Sequence, residues 1–265
     1  MDRRRFIHAA AAAGTCLLAG WPVHAQIARI HDAINQSGRQ RMLSQRMAKS
    51  YLQVGQDIDS ARSNRIFTDS IALFERQLKN LQGFAPSAEN RGTLAELDAV
   101  WQRYRQTLTV ASPNAGDARQ VMALSEEVLA LAHASTLQLE ALSATETGHL
   151  VNIAGRQRML SQRMAKFYQA VNWGVAPAGA LDALATARRE FLAALQELEA
   201  APVNTRALLA ELELARQQWF FFDQALRTAA TTADSRRRFA TNVATTSERI
   251  LETMDRITGM YEQAA

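Results

Sequence analysis

One block of twelve residues occurs twice in this chain. Residues 38–49 read Gly-Arg-Gln-Arg-Met-Leu-Ser-Gln-Arg-Met-Ala-Lys, and residues 155–166 read the same twelve, 117 positions later. The match extends to Asn35 and Asn152, Tyr51 and Tyr168, and Val54 and Val171. Downstream it fades but persists, in Phe74 with Phe191, Ala95-Glu96-Leu97 with Ala210-Glu211-Leu212, and Trp101 with Trp219. A repeat of this kind marks a duplicated structural unit. After a leader of 25 residues the chain divides into two copies, 26–145 and 146–265.

The unit is helical. Hydrophobic residues make up 48% of the chain and charged residues 21%, enough apolar surface for a packed core. Glycine and proline are scarce, at 12 and 5, and few segments alternate in the β-branched, aromatic manner of strands. This excludes sandwiches, barrels and nucleotide-binding sheets. The single cysteine, Cys16, excludes a disulfide framework and a cysteine-based zinc site.

Apolar spacing and breakers predict helices over 27–58, 61–83 and 89–110, the last ending before Pro113-Asn114-Ala115-Gly116. The next begins near Asp117 and meets no strong breaker before Trp173-Gly174. It reads as one rod of ~57 residues, or ~85 Å at 1.5 Å per residue. Helices over 178–200, 203–230 and 234–262 complete the pattern. The expected fold is all-α: two tandem four-helix bundles sharing one long central helix.

On the first helix Ile27, His31, Ile34, Gly38, Arg41, Gln45, Ala48 and Leu52 fall on one seam, flanked by a stripe of Leu43, Met47, Tyr51, Val54 and Ile58. Copy two repeats the seam as Val151, Gly155, Arg158, Gln162 and Ala165. A glycine on a helix seam admits another backbone, and an arginine one turn later in that narrow space is unfavourable unless paired. Neither 33–56 nor 150–181 contains an acid. Two seams meeting around a small anion would resolve the conflict, with Arg41 and Arg158 as charged donors and Ser44, Gln45, Ser161 and Gln162 as neutral ones. The bland alternative is a solvated basic face whose arginine stems cover apolar surface.

The pattern Asn-x-x-Gly-Arg-Gln-Arg-Met-Leu-Ser-Gln-Arg-Met-Ala-Lys resembles the signature helix of the type IV pilus chemotaxis transducer (PilJ-type) N-terminal domain. It also looks like the periplasmic sensor box of NarX-type nitrate/nitrite sensor kinases. The resemblance is strong at 35–54 and 152–171. It implies a four-helix bundle, with nitrate held at a symmetric contact of two first helices by an arginine from each. Those arginines correspond to Arg41 and Arg158, the preceding glycines to Gly38 and Gly155, and the later arginines to Arg46 and Arg163. Leu43 and Gln45 depart from the residue types of the nitrate sensors. The expected function is a periplasmic sensor or binding protein for a small oxyanion, nitrate or nitrite. The alternative is a non-enzymatic interaction protein that docks a chemotaxis, pilus or sensor-kinase receptor, or a transporter.

Residues 1–25 read as an export signal: a charged start with Arg3-Arg4, a short apolar run from Ala9 to Trp21, and small residues before a cut after Ala25. The arginine pair followed by x-Phe-Ile resembles the twin-arginine signal. An ordinary secretory signal and a lipoprotein cut before Cys16 are the alternatives. Loss of one acid and three arginines takes the formal charge from +4 to +2, too little for a nucleic-acid field.

Other chemistry is thin. His31, His133 and His149 have no metal-ligand spacing. No catalytic constellation, metal site or cofactor is expected. Trp219-Phe220-Phe221-Phe222 cannot all face one core, which leaves bundle packing or a partner surface. Arg236-Arg237-Arg238 reads as solvated. The anion site needs two seams. A straight rod through Gly148 and Gly155 would hold Arg41 and Arg158 tens of ångströms apart and require a homodimer. A kink there would let one chain fold back as a pseudo-dimer. With no proline in the rod, the straight form and the dimer are expected.

Overall fold

The structure is a computed structural model that describes residues 27, 29–228 and 232–264. The expected export signal, residues 1–25, and Cys16 lie outside them. The described residues form α1 (Ile30–Gly55), α2 (Ser60–Phe84), α3 (Ala88–Thr109), α4 (Ala115–Ser143), α5 (Glu146–Trp173), α6 (Ala180–Ala200), α7 (Arg206–Arg227) and α8 (Ala233–Gln263), with no strand among them. The all-α expectation holds. None of these helices is long and apolar enough to cross a membrane.

Polar caps set most of the boundaries. The Ser87, Asn114, Thr145 and Thr205 side chains each accept the backbone N–H three residues on, at Asn90, Asp117, Gly148 and Leu208. Thr232 and Ser235 form a reciprocal capping box at the start of α8.

The expected rod is two helices. The α4 helix stops at Ser143, Ala144 turns into the left-handed region at φ 50°, and Thr145 caps α5. The Ser143 and Thr145 hydroxyls bond at 2.7 Å, and a Cβ on Gly148 would lie 2.5 Å from Ser143 Oγ. Glycine here admits the turn against the first turn of α5. The break therefore lies just before Gly148 and rests on hydroxyl capping, which a search for glycine and proline breakers passes over.

The turn folds the second copy against the first. Helices α1 to α4 pack as one group of four and α5 to α8 as another, and the most extensive helix contact in the molecule joins α1 to α5. The two run parallel. His31 Nε2 lies 2.9 Å from Thr145 Oγ1, Lys49 Nζ donates to Gln162 Oε1 at 2.6 Å, and Gln56 Nε2 donates to the Gln169 carbonyl at 3.1 Å. Arg41 thus faces Arg158 within one chain, and the geometric reason for requiring a second chain is overturned.

Each group keeps its own aromatic centre. Phe74 stacks on Trp101 at 4.2 Å in the first, and Phe191 stacks on Trp219 at 4.5 Å in the second. The four-aromatic run divides: Trp219 and Phe222 are buried, whereas Phe220 and Phe221 are exposed. Enclosed by α2, α4, α5 and α8, α1 is buried on nearly every face. Its seam and its flanking stripe are both core, apart from half-buried His31 and Val54.

Candidate functional site

Gly38 and Gly155 meet where α1 crosses α5. A Cβ built on Gly38 would lie 3.1 Å from Arg41 Nη2 and 3.6 Å from Arg158 Nη2; on Gly155 the two distances are 3.1 Å to Arg158 and 3.6 Å to Arg41. Both guanidinium groups therefore lie over both glycines, related by a pseudo-twofold axis along the helices. Neither arginine side chain has any exposed surface.

The pairing crosses the axis. Arg41 Nη2 donates to Asn152 Oδ1 at 2.7 Å and to its carbonyl at 3.2 Å. Arg158 Nη2 donates to Asn35 Oδ1 at 2.8 Å and to its carbonyl at 3.3 Å. The asparagines are in turn fixed by acids from the fourth helix of the other copy, Asn35 by Glu262 and Asn152 by Glu140.

One partner breaks the symmetry. Arg158 Nη1 donates to Asp255 of α8, while Arg41 Nη1 meets His133 Nδ1 of α4 at 3.2 Å. An imidazole nitrogen accepts that bond only in its neutral form. Burial, then the neighbouring Arg41 charge, pushes His133 below its ordinary value and keeps it neutral at pH 7. Burial raises the Asp255 carboxyl, but Arg158 and Arg39 outweigh it and hold it at about 2. Arg158 therefore has an ionised partner and Arg41 has a neutral one.

The strain appears in the arginines. Burial, then the charge of Arg158, lowers Arg41 to about 9. Burial and Arg39 lower Arg158 to about 10 against the support of Asp255. Both stay charged at neutral pH. The Nε atoms of Arg41 and Arg158 are buried with no acceptor among the described residues. A buried N–H without an acceptor is uncommon and is stabilised by an acceptor brought from outside.

The other sequence-predicted site residues surround this centre. Ser44 and Ser161 turn back to the carbonyls of Arg41 and Arg158, both at 2.8 Å. Gln45 donates to the Ser125 carbonyl at 2.9 Å and Gln162 to that of Ser247 at 3.0 Å. Arg46 pairs with Glu248, and Arg163 pairs with Glu126 at 2.7 Å. Buried Lys49 and Lys166 share the same two carboxylates. Each acid comes from the copy opposite its cations. Burial raises both, yet Lys49 with Arg46 holds Glu248 at about 2, and Lys166 with Arg163 does the same for Glu126. Gly38, Arg41, Gly155 and Arg158 thus converge, while the remaining six engage protein partners, Ser44 and Ser161 on their own helices and Gln45, Gln162, Arg46 and Arg163 on α4 and α8.

Reading the seams alone missed the acids and His133, which arrive from α4 and α8. A signal for them exists. Val121 to Glu140 and Val243 to Glu262 share Val, Ser-Glu, Thr and Glu at matching positions, which aligns Glu126 with Glu248, Glu140 with Glu262, and His133 with Asp255. Of the other histidines, His149 bridges Glu140 and Glu197 at 2.6 and 3.1 Å. Arg237 pairs with Asp57 at the surface. No group of three metal-ligating side chains occurs among the described residues.

The family model described as PilJ, Type IV pili methyl-accepting chemotaxis transducer N-term, matches residues 24–135 and 142–246. No curated protein matches the chain, and no solved structure does.

Proposed function

This chain belongs to the PilJ family of type IV pili methyl-accepting chemotaxis transducer N-terminal domains, and on that premise we propose that it is an oxyanion receptor whose single site lies between Arg41 and Arg158. The family is that of a sensory, receptor-associated helical domain. The finer reading is ours: a periplasmic protein that binds nitrate or nitrite as one chain, both half-sites being supplied by the duplication.

One observation carries it. Two fully buried guanidinium groups lie over paired glycines, and only one of them has a carboxylate partner. Burial of an ion costs several kcal/mol unless an opposite charge and hydrogen bonds compensate it. A monovalent planar oxyanion supplies both, accepting from the forked donors on either side. The amide oxygens of Asn35 and Asn152 are neutral acceptors at the Nη2 atoms. An entering anion takes their place and also reaches the orphaned Nε atoms. Asp255 limits the total charge, so the site favours a single negative charge over sulfate or phosphate.

Binding to the folded state raises the melting temperature by an amount that grows with the logarithm of ligand excess. The full chain should melt higher with millimolar nitrate or nitrite than with equal chloride, and sulfate should add nothing beyond ionic strength. Arg41→Ala, folded by circular dichroism, should lose the shift. Equal shifts with nitrate and chloride would sink the reading.

A further inference from the structure

An open pocket lies at the junction of the two copies, and its counterpart across the pseudo-twofold axis is closed. It lies where α4 meets α5 and the segment leading into α6, with a volume of about 360 Å³. Its apolar walls include Met122, Phe167, Val175, Ala176, Pro177 and Ala183. At its counterpart, between Lys49, Asp59, Arg62, Ser63 and Glu248, the volume is about 10 Å³.

Particular differences make it apolar and open it. Phe167 stands where the repeat places Ser50, and Met122 aligns with Ala244. The left-handed caps Asp59 and Gly179 are equivalent, and the segment before Gly179 is longer, Val175-Ala176-Pro177-Ala178 against Ile58 alone. Ala183 replaces Ser63, whose hydroxyl bonds to Gln53 and to the Ile58 carbonyl in the first copy. Polar groups that close one pocket have given way to apolar ones that line the other.

The mouth is basic. Arg119 is exposed and has no ion-pair partner among the described residues. Arg163 also lines the pocket, its charge shared with Glu126, which pairs with Lys166 as well. The carboxylate is thus compensated twice over, and Arg119 is the uncommitted charge. An apolar cavity in the size range of small-ligand sites, with one free guanidinium at its rim, matches an organic anion with an apolar body.

We infer that this pocket binds a small amphipathic carboxylate, its apolar part against Phe167 and Met122 and its carboxylate on Arg119. The site is separate from the Arg41–Arg158 seam and stands or falls without it. The Glu126–Arg163 pair in its lining ties α4 to α5, so an occupant there touches α5, one of the two helices that carry the seam.

Calorimetric titration of octanoate into the full chain tests it, with octan-1-ol and octylamine as probes of matched body and different head. One octanoate per chain should bind, with octan-1-ol and octylamine at least tenfold weaker. Arg119→Gln, at an exposed position, should weaken octanoate at least tenfold with an unchanged melting temperature. Ala183→Trp should abolish binding by filling the cavity, while Arg62→Gln in the first copy should leave it unchanged. No heat with octanoate would overturn the inference. So would binding that survives both Arg119→Gln and Ala183→Trp, or octan-1-ol binding as tightly as octanoate.

Discussion

His133 and Asp255 occupy the same place in the two halves of the molecule, the one against Arg41 and the other against Arg158. The rest of the centre is paired: two glycines, two arginines, two asparagines and the glutamates behind them. This difference leaves Arg41 without the carboxylate that Arg158 has. His133→Asp should supply that charge, with Arg41 as its partner and Arg156, itself paired with Glu190 at 3.0 Å, adding its field. Urea unfolding should then show a gain of about 1–3 kcal/mol, the scale of a hydrogen bond to a charged group. Nitrate affinity should fall at least tenfold. A variant that binds nitrate as tightly as the parent would remove the charge argument.

The asparagines make an opposite prediction. Asn152→Ala removes the acceptor from Arg41 Nη2 at the cost of one charged hydrogen bond, about 1.5–3 kcal/mol. The loss should be visible in thermal melts without anion and largely recovered in saturating nitrate. Equal destabilisation with and without nitrate would mean that Asn152 and the anion do not share a place.

Acid stability follows from the exchanged ion pairs. Glu126, Glu248 and Asp255 are held at about 2 against ordinary values of 4.5, 4.5 and 3.8. The unfolded state then binds more protons as pH falls. Their contribution is complete above about pH 4.5 and is lost towards pH 2. Urea midpoints should be nearly level from pH 6 to 5 and drop steeply below. Glu248→Gln leaves Lys49 buried without its counter-charge and should cost about 3–5 kcal/mol at pH 7. A loss under 1 kcal/mol would show that the pair does not hold α1 to α8.

Glycine substitutions separate crowded positions from open ones. A Cβ on Gly55 would lie 2.2 Å from Trp173 Cη2, so Gly55→Ala should destabilise by about 1–3 kcal/mol through overpacking. Gly92 is exposed within α3 with nothing inside 4 Å, and Gly92→Ala should stabilise by up to about 1 kcal/mol. Chemical denaturation of the two variants gives both signs. Matching signs would contradict the packing of α1 on the end of α5.

The twelve-residue repeat made the helices and the duplication legible, and it marked Gly38, Arg41, Gly155 and Arg158 as seam residues expected to meet across two chains. The fold-back was not legible, because it turns on Ala144 in a left-handed conformation that alanine adopts only at a cost of about 1–2 kcal/mol. The cue was the hydroxyl pair of Ser143 and Thr145, a cap without glycine or proline. Asp255 and His133 were hidden for another reason. They lie on the fourth helix of each copy, far along the chain, and only the packing of α4 and α8 brings them to α1 and α5. Phe220 and Phe221 resisted assignment because a helical run of four aromatics shares two faces, and the phase is set by the Phe191–Trp219 stack.

The account rests on two half-sites meeting inside one chain. Calorimetric titration of nitrate, on protein whose mass is fixed by light scattering, tests this most directly. One nitrate per monomeric chain is predicted, with binding lost in both Arg41→Ala and Arg158→Ala. One nitrate per two chains, or no heat from nitrate or nitrite up to millimolar concentration, would contradict it.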